Sequence, residues 1–270
     1  MLLTSVIIII REVLEAAFLI SILLSLCVQL NLTRHWFKWS LAGGVAGSIA
    51  LGSQFGWVSN LFGGIGQELV DAGLQVFIYL CLLYICFKFI DHYFKPSASN
   101  ATFRAILTAV IACAMTREGS EIYIYLLAFQ DLPEGGISLY SGSIIGFGIG
   151  LSCCALFYYW ILSFSVSRSL LLGCVLLTTM ASGMMLQAAK MLIQADLLPD
   201  GQLWDSNGLL AEESLAGQLL YALVGYEATP APAQLMIYMA SGLTMAGVMI
   251  ARYQYWRHRQ LPKEANQYGN

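Results

Sequence analysis

The chain has 270 residues, of which 58% are hydrophobic and only 11% charged, with a formal net charge of −3 and a mean hydropathy of +0.70. A soluble domain carries about 25% charged residues, so this chain lacks the polar side chains to coat a water-soluble globule. Runs of 18 or more mostly apolar residues read as membrane spans, and several are present.

In chain order the spans fall at about 2–28, 36–57, 68–90, 103–129, 138–164, 169–195 and 234–254. The first is not a cleaved signal peptide. Such a peptide opens with basic residues and an unbroken apolar stretch, whereas Met1 to Ile10 holds no basic residue and Arg11, Glu12 and Glu15 break the run. The cluster Pro96-Ser97-Ala98-Ser99-Asn100 marks a loop before the fourth span. Residues 196–233 carry Pro199, Asp200, Gly201, Asp205, Asn207 and Gly208, then an apolar piece from Leu209 to Tyr226. They read as an outer loop with an interfacial or re-entrant helix; an eighth, short span is the alternative. The expected fold is therefore an all-α integral membrane protein with seven transmembrane helices. One transmembrane domain covers 1–259: repeat one at about 1–95, repeat two at about 101–195, the outer loop 196–233 and the last helix 234–254. Residues 260–270 form a cytoplasmic tail.

Lys and Arg favour the cytoplasmic side. Arg34, Lys38, Lys88, Lys95, Arg104, Arg168, Arg252, Arg257, Arg259 and Lys263 all fall on one side of a seven-span arrangement. The other side holds Asp131, Glu134, Asp196, Asp200, Asp205, Glu212, Glu213 and Glu227. This places the N-terminus outside and the C-terminus in the cytoplasm, in a plasma or bacterial inner membrane. The outer acids read either as a topological residue of that bias or as a funnel that concentrates cations. Lys190, alone on the outer side, is expected to snorkel to the interface. The seven cysteines lack the spacing of a zinc or redox motif and read as small packing residues. The three histidines, His35, His92 and His258, lie towards the cytoplasmic side.

The informative residues are charges within the spans. Span one holds Arg11-Glu12-Val13-Leu14-Glu15, and span four holds Arg117-Glu118-Gly119-Ser120-Glu121. Glutamates three apart share a helix face, and Arg11 and Glu15, four apart, are within pairing distance, as are Arg117 and Glu121. Each such charge costs roughly 2.5–3.5 kcal/mol near the bilayer centre, and six cost on the order of 15–20 kcal/mol if unpaired. Two arginines cannot neutralise four glutamates, so a bound cation or protonation must offset the rest. Structural salt bridges alone would leave two carboxylates without a role. The motif recurs in a span of opposite direction, which implies 3+3 inverted repeats with a site near the midplane, plus a C-terminal helix. Small residues at four-residue spacing, Gly44, Ser48, Gly52 and Gly56 in span two and Gly142, Gly146 and Gly150 in span five, support that correspondence. Paired carboxylates suit a hard cation such as iron, manganese or calcium. Glu68 and Asp71 at the outer end of span three read as a first stop for an incoming ion, or as acids stabilised by a helix N-terminus. In span six, Met180, Met184, Gln187, Met191 and Gln194 share a face that reads chiefly as packing, with Gln187 a candidate to line the path.

The twin motifs, their spacing, the seven spans and Gly225-Tyr226 with Pro230 and Gln234 resemble the oxidase-dependent iron permease family, which includes fungal high-affinity iron permeases and bacterial iron-uptake permeases. The resemblance covers nearly the whole chain. It implies iron import, with Glu12, Glu15, Glu118 and Glu121 as ligands and Arg11 and Arg117 essential beside them. It implies iron as transported substrate, with no permanently bound cofactor. Membrane lipid surrounds the protein, and an extracytoplasmic oxidase or iron-delivery protein is the implied partner, with no nucleic acid. The chain departs from the family at Val13, where glycine is usual; Gly119 fits. Alternatives are a permease for Pb²⁺ or Mn²⁺, or a membrane metal sensor, although a sensor needs an output domain. An enzyme is not expected: a di-iron site uses Glu-x-x-His, and no histidine lies near either motif.

Overall fold

The computed structural model describes residues 2–96, 100–130, 136–212 and 214–267, with the backbone alone for Leu215 and 260–267. Apolar runs without internal breakers give long helices: α1 (Leu2–Gln29), α2 (Trp36–Ser53), α4 (Gly66–Phe94), α5 (Ala101–Phe129), α6 (Gly136–Leu162), α7 (Val166–Gln194) and α9 (Pro232–Gln267). Two short helices, α3 (Phe55–Ser59) and α8 (Leu215–Val224), lie between them. Among the described residues there is no strand. Among the described residues, four helices are long and apolar enough to cross a membrane: α4, α6, α7 and the stretch Pro232–Arg259 of α9.

Two expected boundaries move. The second helix ends at Ser53 rather than near 57. Gln54 breaks it, α3 follows, and a 3-10 turn at Leu61–Gly63 leads into α4. Phe62, Gly63 and Gly64 all take positive φ there, and glycine makes that reversal inexpensive. The last helix runs on to Gln267, so most of the expected tail is helical. Pro232, its first residue, suits a helix start because its missing N–H has no helical partner there.

The ten-residue α8 spans about 15 Å, half of a hydrocarbon core of about 30 Å. It packs against α7 and α1 and cannot be an eighth crossing. It ends at Gly225 (φ 70°), which packs backbone to backbone against Gly183 of α7. A side chain at either glycine would part them.

Packing runs across the expected repeats. α1 lies chiefly on α6, α2 on α5, and α4 on α7, with α9 against α7 and α4. The small residues make this close. Gly142 and Gly146 sit on the α1 backbone at Leu2 and Val6, and Gly44 and Gly52 sit on Met115 and Tyr123 of α5. Ser48 Oγ donates to the Met115 carbonyl at 2.8 Å. Gly56, past the break in α2, packs on nothing. Val13 finds its room in Gly150 of α6, while Gly119 faces Ser48 of α2. The extra bulk in the first motif is thus matched by a glycine opposite.

One half of the bundle is an apolar core. Leu19, Ile22, Leu26, Leu82, Ile85, Phe89, Val110, Ile111 and Leu177 are wholly buried in it. At its far end Arg252 of α9 donates to both oxygens of Asp91 on α4, and Trp256 Nε1 donates to the same carboxylate at 2.7 Å. This ties the last helix to the bundle. All seven cysteines are free thiols. His92 bonds the Leu30 carbonyl at 3.1 Å, far along the chain from either motif.

Candidate metal centre

Where α1 crosses α5, the two motifs meet. One oxygen each from Glu12, Glu15 and Glu118 lies within 4.8 Å of the others, and all three residues are buried. A cation at the centre of such a triangle is within about 2.8 Å of each oxygen, a small side-chain shift from the roughly 2.0–2.6 Å shell of hard cations. Glu118 Oε2 is buried with no hydrogen-bond partner among the described residues. An orphaned carboxylate oxygen of this kind is costly in a low-dielectric interior, and a bound cation would satisfy it.

The two arginines divide the work unequally. Arg117 is buried, and its Nη1 donates to Glu118 Oε1 at 2.5 Å and to Glu15 Oε2 at 3.3 Å. Its Nη2 reaches Glu121 Oε1 at 3.2 Å. Arg11 is 45% exposed; its Nε and Nη2 donate to Glu12 Oε1 at 2.9 and 2.7 Å, and Glu121 lies 3.9 Å away. The Arg11–Glu15 pairing that the spacing allows does not form. Glu15 turns instead to Arg117 on the other helix and to Gln187 Nε2 of α7, 3.1 Å away. Tyr221 of α8 lies under the Arg11 guanidinium at 5.9 Å, a contact that the sequence, which reads this segment as an interfacial or re-entrant helix, gives no sign of.

A cavity of about 420 Å³ opens onto this cluster from one side, lined by Arg11, Glu12, Gln67, Glu68, Asp71 and Glu121 among others. Glu121 and the triad's own Glu12 therefore both border the cavity. Glu68 and Asp71 lie in the same cavity. Glu68 is also in the first turn of α4, the position that the helix-terminus reading describes. The span-six face divides: Met180, Met184 and Gln187 are buried, while Met191 and Gln194 line the cavity.

The outer acids are less available than the sequence suggests. Lys190 does not snorkel but pairs with Glu227 at 2.7 Å. Gln234 Nε2 donates to the other Glu227 oxygen at 2.7 Å. Glu212 accepts from the Ala228 N–H, Asp205 from Asn207 N–H and Asp200 from Gly201 N–H. These carboxylates fasten the segment between α7 and α9. Asp131, Glu134, Glu213 and residues 97–99 of the predicted loop before α5 lie outside the described residues.

Fold and site together define a class: an integral membrane protein of packed helices with a carboxylate cluster in its interior. The model of the Iron permease FTR1 family matches residues 2–254. The chain belongs to that family, one of membrane transporters for iron, as the twin motifs imply. Neither the curated proteins nor the solved structures gave a match.

Proposed function

We propose that the protein imports iron across the membrane through the cluster formed by Glu12, Glu15, Glu118 and Glu121. The observation that carries this reading is the convergence of three buried carboxylates from α1 and α5 on one point. Oxygen-only ligands suit Fe³⁺, or Fe²⁺ oxidised by an extracytoplasmic oxidase that delivers it. Arg117 and Arg11 pair with the carboxylates when no ion is bound, and they compete with the ion for the same oxygens, which offers a route to release.

The path begins at the cavity. Glu68, Asp71 and Glu121 receive the cation there, and Glu121 passes it to the buried triad. The apolar half beyond is closed, so this is the state that accepts the ion, and delivery to the other side needs a rearrangement of the helices. The cross-packing of α1 on α6 and α2 on α5 is what a two-fold relation between α1, α2, α4 and α5, α6, α7 requires, and it supports a 3+3 inverted repeat. On that reading α1, α2 and α5 cross beside the four apolar helices, giving seven spans. The basic residues at the Asp91–Arg252 end put that end in the cytoplasm. Uptake of radioactive iron into proteoliposomes, with Mn²⁺ or Pb²⁺ as competitor, tests the substrate. Iron uptake that persists in their presence supports the reading. Competition at equal concentration moves the substrate to a divalent metal.

A further inference from the structure

Two glutamines stand behind the carboxylates, away from the cavity. Gln187 of α7 and Gln75 of α4 are both fully buried. Gln187 Nε2 donates to Glu15 Oε2 at 3.1 Å, and Gln75 Nε2 donates to Gln187 Oε1 at 2.7 Å. The chain runs in one direction. A carboxylate oxygen accepts from an amide NH₂, and Gln187 turns its NH₂ towards Glu15. Its carbonyl end then faces Gln75 and accepts from it. The carbonyl of Gln75 is left as the far end of the relay.

That oxygen, Gln75 Oε1, is buried and has no hydrogen-bond partner among the described residues. A buried acceptor without a donor is disfavoured, and the orientation imposed by Glu15 prevents the amide from turning its NH₂ there instead. Wholly buried Leu19, Ile22, Ile78 and Leu82 belong to the apolar core of the same helices. One turn along α4, the Tyr79 hydroxyl is already engaged, donating to the Ser241 carbonyl at 3.0 Å.

We propose that Gln75 Oε1 is an ion ligand: beyond Glu15 and the engaged oxygen of Gln187, it is the first unengaged oxygen a cation meets on the side away from the cavity. Gln187 is the positioning residue that orients it. A neutral amide oxygen suits a hard cation but holds it less firmly than carboxylates. A step of this kind lets an ion leave a tight site without being trapped at the next. The inference rests on the transport reading of the glutamate cluster.

The test uses the full chain, with equilibrium binding of radioactive iron to detergent-purified protein and uptake into proteoliposomes as separate readouts. Gln75→Leu is expected to bind iron as wild type does, because the glutamate cluster is intact, and to lose uptake by about tenfold or more. Gln75→Glu keeps the size and adds a charge, and it is expected to tighten binding by about tenfold and slow release. Gln75→Glu binding with wild-type affinity, or a folded Gln75→Leu importing at the wild-type rate, overturns the proposal. The binding arm judges Gln75 even in protein that transports nothing. Failure of the glutamate reading appears separately, as a Glu118→Gln variant that binds iron as well as wild type.

Discussion

Arg11 and Arg117 hold the same place in the two motifs, yet their removal has unequal consequences. Arg117 is buried and serves Glu15, Glu118 and Glu121 at once. Replacing it with methionine keeps an unbranched apolar stem and removes the guanidinium charge, leaving buried carboxylates without their counter-ion. Breaking a buried pair in this way costs about 3–5 kcal/mol. At about 2–4 °C per kcal/mol for a chain of this size, the midpoint of thermal unfolding falls by about 6–20 °C. Arg11 is 45% exposed and pairs at the cavity edge. Arg11→Met costs less than Arg117→Met, because Arg11 is half exposed and pairs closely with Glu12 alone, whereas Arg117 is buried and serves three carboxylates. Thermal unfolding of the two detergent-purified variants at neutral pH measures the difference. Adding Glu118→Gln to Arg117→Met is expected to recover part of the loss. Equal midpoints for the two arginine variants, or the larger fall for Arg11→Met, refute this account of the site's electrostatics.

Other outcomes follow from the same contacts. Gly150→Leu drives a side chain into Val13 and parts α6 from α1; it is expected to destabilise by about 1–3 kcal/mol, and Val13→Gly in the same chain should restore the unfolding midpoint. Lys190→Met strands the buried Glu227, so limited proteolysis should cut residues 196–231 faster, and adding Glu227→Gln should slow it again. Iron binding requires ionised carboxylates, so affinity should fall as the medium is acidified, measured by equilibrium binding across a pH series.

The helices were legible because a membrane imposes long apolar runs, and the carboxylates were legible because charge is conspicuous there. That Glu12, Glu15 and Glu118 meet was not legible from the spacing of the motifs; the crossing of α1 and α5 brings them together. What the sequence hid depends on partners distant in the chain. Spacing offered Arg11 to Glu15, but the packing of α1 on α5 gave Glu15 to Arg117. Gln75 sits among apolar neighbours with no motif to mark it, and only the Gln187–Glu15 contact gives it meaning. The solitary outer lysine was a signal for a buried counter-charge, and Glu227 supplies it. The break after Ser53 had a local cue in Gly56, Gly63 and Gly64, obscured by the apolar residues between them. Val13 departs from the family pattern, and its accommodation is visible only in Gly150 on another helix.

The central claim is that iron crosses between the two motifs by way of their glutamates. The most direct measurement is uptake of radioactive iron into proteoliposomes by wild type, Glu12→Gln and Glu118→Gln, each verified as folded. The account predicts that either substitution, on either helix, abolishes uptake. Wild-type uptake by both folded variants would contradict it and leave the motifs as salt bridges that hold α1 to α5.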